Sequence, residues 1–205
     1  AQDPMARVAC ETLVTTGLAI IAGEITTKCT FDFQKVVRDT ISDVGYTKSE
    51  YGYDADTCAV LSSIHGQSPD IAMGVNAKQK KHGEEEGAGD QGMMFGYACT
   101  ESEVYEKNSF MPAPIYFAHK ILKSLADKRH SGAIPDLQPD AKSQVTVRYV
   151  DGKAVGCTKV VVSTQHNEKS RNGKKYTPGM VKDLIETAVT AALPKGWMPA
   201  KSSDF

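Results

Sequence analysis

The sequence lacks any close cysteine pairing, any excess of charge of one sign and any long hydrophobic run. Its five cysteines, Cys10, Cys29, Cys58, Cys99 and Cys157, are odd in number, widely scattered and form no Cys-x-x-Cys pair. That pattern argues against a disulfide framework and against a zinc site, and it reads as reduced, mostly buried thiols in a cytoplasmic protein. Lys and Arg number 24 against 25 Asp and Glu, a net charge of −1, so no long-range field draws a polyanion and nucleic acid is not an expected partner. The longest apolar run, Leu18 to Ala22, is far short of the roughly 20 residues that cross a bilayer, and no basic segment followed by an apolar stretch opens the chain. Membrane association is therefore not expected either. There is no Met at position 1, and Ala1-Gln2-Asp3-Pro4 runs almost at once into a strand-like stretch, so the chain reads as one entered midway and cut short at both ends.

What is present suffices for a core: 205 residues at 40% hydrophobic content can bury one large or two small domains. Val8 to Val14 and Leu18 to Thr27 are β-branched and apolar and meet at Thr15-Thr16-Gly17, which predicts a hairpin. Phe33, Val36, Val37, Ile41 and Val44 recur at helical spacing between an N-cap at Asp32 and a C-cap at Gly45. Ala59 to Ile64 predicts a strand, and a further strand is expected near Met93 to Cys99. Helices are expected over about Pro114 to Lys128, with Ile115, Ala118, Leu122 and Leu125 inward, and over Pro178 to Leu193, with Val181, Leu184, Ile185 and Ala188 inward. Between these two helices a hairpin turns at Asp151-Gly152.

Strand pairs interleaved with helices predict an α+β fold of repeated strand-pair/helix modules, in two layers, with helices on one face of each sheet. Leu18 to Ala22 and Val160-Val161-Val162 are apolar without alternation, as in strands buried on both sides, so the opposite faces are expected at a dimer interface. The expected division is a first module over 1–66, a loop over 67–86 that closes as an active-site lid, and a second module over 87–205. The loop, Gly66 to Gly87, has a basic patch at Lys78, Lys80 and Lys81 beside an acidic one at Glu84 to Glu86. Loops of that length are usually lids, binding loops or linkers.

The most unusual local sequence is Gly87-Ala88-Gly89-Asp90-Gln91-Gly92. Three glycines allow close backbone approach to a ligand, and Asp90 and Gln91 add polar contacts. It has neither the Gly-Lys-Ser/Thr ending of a P-loop nor a dinucleotide-binding spacing, and by itself it fits a hinge as well as a site. Read on through Met93-Met94-Phe95-Gly96-Tyr97, it resembles the long signature segment of the S-adenosylmethionine synthetases. Ala9-Cys10-Glu11-Thr12, Gly23-Glu24-Ile25-Thr26-Thr27, Gln67-Ser68-Pro69-Asp70-Ile71, Met111-Pro112-Ala113-Pro114, Asp140-Ala141-Lys142-Ser143-Gln144-Val145 and Ser163-Thr164-Gln165-His166 resemble the same family in order and content. The family's early His-Pro-Asp-Lys segment, its later glycine-rich loop and its third module lie outside this sequence. Gln79 to Glu85 and Glu101 to Phe110 depart from shorter members as loop insertions.

The resemblance implies a methionine adenosyltransferase that joins ATP to L-methionine and releases pyrophosphate and phosphate by way of tripolyphosphate. It implies Glu24 and Gln67 as methionine contacts, Asp140, Ala141, Lys142 and Ser163 as ATP contacts, Lys142 and Asp90 as catalytic residues, and Glu11 as a potassium ligand. Mg2+ and K+ are the implied cofactors, with the magnesium ligands outside this sequence. A homodimer with shared active sites, or a tetramer of such dimers, is the implied assembly. Taken alone, Glu24 reads as a solvated edge carboxylate, Gln67 as an ordinary loop residue, and Asp140 with Lys142 as a solvated pair. Glu11, set mid-strand in an apolar run, reads as a carboxylate that burial would make costly without a cation. The alternative reading is a non-catalytic or regulatory relative, or an inactive fragment, that binds nucleotide.

Overall fold

In a computed structural model, residues 3–70, 72, 92–199, 201 and 204–205 are described. The chain divides into two compact units, Ala1–Phe95 and Gly96–Phe205. No helix among the described residues is long and apolar enough to cross a membrane.

The first unit opens with β1 (Arg7–Thr15) and β2 (Leu18–Thr26), an antiparallel hairpin running in register from Arg7 opposite Thr26 to Thr15 opposite Leu18. Helix α1 (Phe33–Val44) follows. Asp32 caps it by accepting the Lys35 N–H at 3.1 Å, and Gly45, at φ 110°, ends it in the left-handed region. The chain then returns through a tight loop to β3 (Ala59–His65), which pairs with β2 in parallel, from Leu18 beside Ala59 to Glu24 beside His65. The sheet order is β1-β2-β3. A parallel pair needs a crossover, and α1 supplies it. The helix packs on one side of the sheet: Ile41 and Val37 meet Ala19, Val60, Ala55 and Cys58.

The loop into β3 is held by Asp54, buried, whose carboxylate accepts the Thr57 hydroxyl and the N–H groups of Thr57 and Asp56 at 2.9 and 3.0 Å. Arg38 of α1 adds donors to the carbonyls of Ala55 and Asp56 at 2.6 and 3.1 Å. The Thr57 bonds above all hold the Asp54 carboxyl below the usual carboxylate range.

The second unit begins with an irregular run to Thr100 and a 3-10 turn at Glu101–Val104. The expected strand over Met93 to Cys99 is not formed. The Cys99 N–H donates to the Phe110 carbonyl at 3.2 Å, but no continuous ladder forms along the segment among the described residues. Its apolar side chains stand in solvent, with Met94 88% and Phe95 89% exposed. The supposed insertion at Glu101 to Phe110 is tightly self-bonded. The Glu103 carboxylate accepts the N–H groups of Asn108 and Phe110, both at 2.9 Å, and these bonds lower its pKa. Tyr105 sets its ring against Phe117 and Trp197 at 4.9 and 5.8 Å.

Helix α2 (Ala113–His130) buries Ala113, Tyr116, Phe117, Ile121 and Leu125. Leu125 is inward as expected and Ala118 packs against the core, but Ile115 is largely exposed. Tyr116 and Phe117 carry the larger apolar area, so they and not Ile115 point inward. Strands β4 (Leu137–Val150) and β5 (Lys153–His166) form a long hairpin with Asp151 and Gly152 both at positive φ in its turn. Helix α3 (Pro178–Ala192) is capped by Thr177 and buries Ile185, Ala188, Val189 and Ala192. Both helices pack on the side of the hairpin that carries Val145 and Val160.

The helix-on-one-face plan is therefore present in each unit, but the two sheets differ: three mixed strands in the first, two antiparallel strands in the second. All five cysteines are free, and only Cys58 is buried, so the expectation of mostly buried thiols is not met.

Asp54 has a depressed folded pKa. Its contribution to stability is therefore complete above the ordinary unfolded value of about 3.9 and is lost as pH falls through the lower folded value. Asp54→Asn should lower the thermal midpoint near neutrality and blunt the loss of stability below about pH 4. Melting curves of both proteins taken down to about pH 3 check this; identical acid sensitivity would contradict it.

Candidate functional site

Register assigns each sheet position to a face, because side chains alternate along a strand and partners across a ladder share a side. In the first sheet Ala19 and Val60 lie on the helix side. The opposite side then carries three cross-strand rows: Leu13, Ile20 and Leu61; Glu11, Ala22 and Ser63; Ala9, Glu24 and His65. This helix-free face is apolar at one end and ionisable at the other. Its aliphatic row is open, with Leu13 57% and Leu61 54% exposed.

Glu24 is half-buried near the end of β2. Gln67 follows β3 by two residues, and its Oε1 is shielded from solvent with no hydrogen-bond partner among the described residues. Arg7, on the same strand face as Ala9 and Glu11, likewise has a shielded Nε with no partner. Two polar atoms withdrawn from water without partners near one end of one sheet are costly unless a ligand answers them.

Gly23, just before Glu24, has φ 141°, and a Cβ there would fall 2.1 Å from the Ala9 carbonyl oxygen. Only glycine lets β1 pass so close to β2 at this point. The glycine thus fixes where Glu24 stands relative to Ala9.

Glu11 does not behave as the sequence suggested. Its side chain is exposed, so no burial cost calls for a cation. Among the described residues no group of three or more His, Cys, Asp or Glu could hold a metal ion. The described residues by themselves do not assemble a site for either implied cation.

In the second unit Val145 and Val160 mark the helix side of the hairpin. Lys142 beside Ser163 and Gln144 beside Val161 form rows on the helix-free side, and Asp140 stands two residues before Lys142. Asp140, Lys142 and Ser163 are exposed, and Ala141 is half-buried. None of these four has an ion-pair partner among the described residues. Ser143 faces the other way, and its hydroxyl donates to the Ala118 carbonyl of α2 at 2.7 Å.

His166 is occupied elsewhere. Its Nδ1 lies 2.7 Å from the Asn167 carbonyl and its ring meets the Tyr176 edge at 5.3 Å. Asn167 and Tyr176 in turn donate to Asp136 at 2.9 and 2.8 Å, and burial with the Asp136 bond raises the Tyr176 pKa. An open cleft of about 460 Å³ lies here, with Ser163, His166, Tyr176 and Lys182 in its wall.

The structure thus groups Glu24 and Gln67 in the first unit and Asp140, Ala141, Lys142 and Ser163 in the second. Asp90, the glycine-rich segment up to Gln91 and most of the expected lid, including Gln79 to Glu85, lie outside the described residues. Sequence reasoning did not single out His65, which pairs with Glu24. Its place beside Glu24 follows from parallel pairing of β2 with β3, which no local signal announces.

Two units of strands backed by helices on one side, with ionisable side chains on the bare faces, define the class of fold. Comparison with known proteins gives the family. The description "S-adenosylmethionine synthetase, N-terminal domain" matches residues 1–69, and "S-adenosylmethionine synthetase, central domain" matches residues 85–204. The chain belongs to the S-adenosylmethionine synthetase family. It is 50% identical over 194 residues to an S-adenosylmethionine synthase of Maridesulfovibrio salexigens, covering 95% of this chain and 46% of that protein. It is 56% identical over 168 residues to the one of Solidesulfovibrio magneticus, covering 82% and 41%. For the one of Desulforudis audaxviator the figures are 49% over 201 residues, 95% and 48%. The chain therefore spans under half the length of each of these relatives.

Gly23→Ala should be strongly destabilising, by roughly 1–3 kcal/mol or more, because the new Cβ meets backbone at a strained φ. Chemical denaturation of wild type and variant checks this, and equal midpoints would contradict the close-approach account.

Proposed function

We propose that this chain supplies the N-terminal and central domains of a methionine adenosyltransferase, which makes S-adenosylmethionine from ATP and L-methionine. The observation that carries this reading is that two successive domains of one family match along the chain in order. The methionine sulfur attacks C5′ of ATP, forming the S–C5′ bond as the C5′–O bond breaks, and tripolyphosphate leaves with the electron pair. Water then cleaves the tripolyphosphate to pyrophosphate and phosphate.

A thioether is neutral and carries no proton to remove, so the first step needs no general base. Its barrier falls by alignment of the reactants and by cations near the oxygens that gain charge. Glu24 pairs with the methionine ammonium, and the free Oε1 of Gln67 accepts a hydrogen bond from the same head group. Lys142 offers a point charge to phosphate, Asp140 and Ala141 position the nucleotide beside it, and Ser163 adds a hydroxyl on the same sheet face. Asp90 is the further substrate-side carboxylate of this reading. His166, held in its own network, takes no part. Mg2+ and K+ belong to the reading as cofactors and would neutralise the triphosphate. The described residues do not assemble sites for them, and no step is routed through them.

The reading places the first module at 1–66, the lid at 67–86 and the second module at 87–205, in a cytoplasmic enzyme. It also assigns the two residue sets to different subunits of a homodimer, or of a tetramer built from such dimers. The bare, partly apolar sheet faces favour this, since exposed aliphatic rows of this kind are usually covered.

The test uses the full-length protein. Methionine-dependent release of phosphate and pyrophosphate from ATP, with S-adenosylmethionine formed, is expected; its absence in a folded full-length enzyme would overturn the reading. Lys142→Ala should lose roughly 10²–10³ in turnover, as loss of one charge-stabilising contact does. Mixing full-length Glu24→Gln with full-length Lys142→Ala under subunit exchange should restore activity, because one site of a mixed dimer then carries both lesions and the other neither. No recovery, with exchange verified, would assign both pairs to one subunit.

A further inference from the structure

His65 is the ionisable residue directly beside Glu24 on the bare face of the first sheet, and the reaction above does not use it. Parallel pairing sets it directly beside Glu24. Adjacent strands lie about 4.8 Å apart and partners share a face, so the imidazole stands within reach of the Glu24 carboxylate. The two make no hydrogen bond or ion pair with each other, and neither has such a partner among the described residues. Gln67, two residues on, has its shielded carbonyl oxygen free.

We propose that His65 is a proton-dependent specificity residue for the amino-acid substrate, its imidazolium competing with the substrate's ammonium for Glu24. This rests on the reading in which Glu24 binds that ammonium. The groups facing Glu24 are few. From β1 come Ala9 directly opposite, with Arg7 and Glu11 on either side of it; β2 itself adds Ala22 and Thr26; β3 adds His65 and Ser63. Helix α1 packs on the other face. Of these side-chain types, only imidazole ordinarily changes charge between about pH 5.5 and 8.

The sign follows from the charges. Neutral His65 leaves Glu24 available to a cationic head group. Protonated His65 offers Glu24 a resident cation and repels an incoming one. Methionine affinity should therefore fall as pH drops through the histidine range, while nucleotide affinity stays level. Pairs between partly exposed groups are worth at most about a factor of five, so a change of roughly threefold is expected.

The experiment measures the methionine Kd of the full-length protein, with a non-hydrolysable ATP analogue bound, across about pH 5.5 to 8. Nucleotide Kd is followed in parallel as a check on folding. Wild type should weaken roughly threefold toward acid, and His65→Gln should bind methionine with no such dependence. His65→Lys, which keeps its charge at the upper end, should show the weakened, acid-like Kd throughout. Retention of the wild-type profile by His65→Gln, together with weak methionine binding by Glu24→Gln, would overturn the role of His65 alone. Should Glu24→Gln bind methionine as tightly as wild type, the assignment of Glu24 would fall and this proposal with it.

Discussion

A sheet has two faces, and the helices seen to pack on each sheet among the described residues lie on one face of it. That constraint organises the molecule. In the first unit Ile41 and Val37 of α1 cover Ala19 and Val60, and in the second Phe117, Ile121 and Val189 stand over Val145 and Val160. The interior is built on those sides, where close packing of aromatic and aliphatic side chains supplies the main stabilising force. The other sides are left with a mixed surface: an aliphatic row of Leu13, Ile20 and Leu61, and a polar end at Glu24 and His65.

This division separates stability from chemistry. Glu24, Lys142 and Ser163, which the proposed reaction uses, stand on the bare faces, where alternation can present them without disturbing the core. Lys142 and Ser143 are sequence neighbours with opposite tasks: Lys142 stands outward beside Ser163, and Ser143 turns inward to bond the Ala118 carbonyl. Gly23 does comparable work in the first sheet, because the approach of Ala9 to within 2.1 Å of its absent Cβ sets the position of Glu24. Of the candidate site residues, Gln67 has a shielded Oε1 with no partner among the described residues.

Features written in local sequence were read well. Asp32 and Gly45 cap α1, Asp151-Gly152 turns the second hairpin, and Pro178 opens α3, each because a few adjacent residues decide the backbone conformation. Features that depend on distant partners were not. The parallel pairing of β3 with β2, and with it the meeting of Glu24 and His65, is a tertiary fact. The inward face of α2 was read only in part, because Phe117 packs on Trp197, far away in sequence, and Tyr116 stacks on Tyr105 of the preceding turn. Met93 to Cys99 has the composition of a strand but forms no ladder beyond the Cys99 N–H bond to Phe110, and Glu11, apolar in its sequence surroundings, is exposed. The site residues became visible through family resemblance; spacing alone would have left Glu24, Asp140 and Lys142 as ordinary solvated charges.

The central claim is that the bare face of the first sheet is an interior surface of a working assembly. Sedimentation velocity of the full-length protein and its Leu13→Asp variant, with activity measured on the same samples, tests it most directly. The account predicts that wild type sediments as a dimer or larger, and that a charge in the middle of the aliphatic row shifts the protein to monomer and abolishes turnover while the fold persists. A Leu13→Asp protein that keeps both the wild-type mass and the wild-type activity would contradict it.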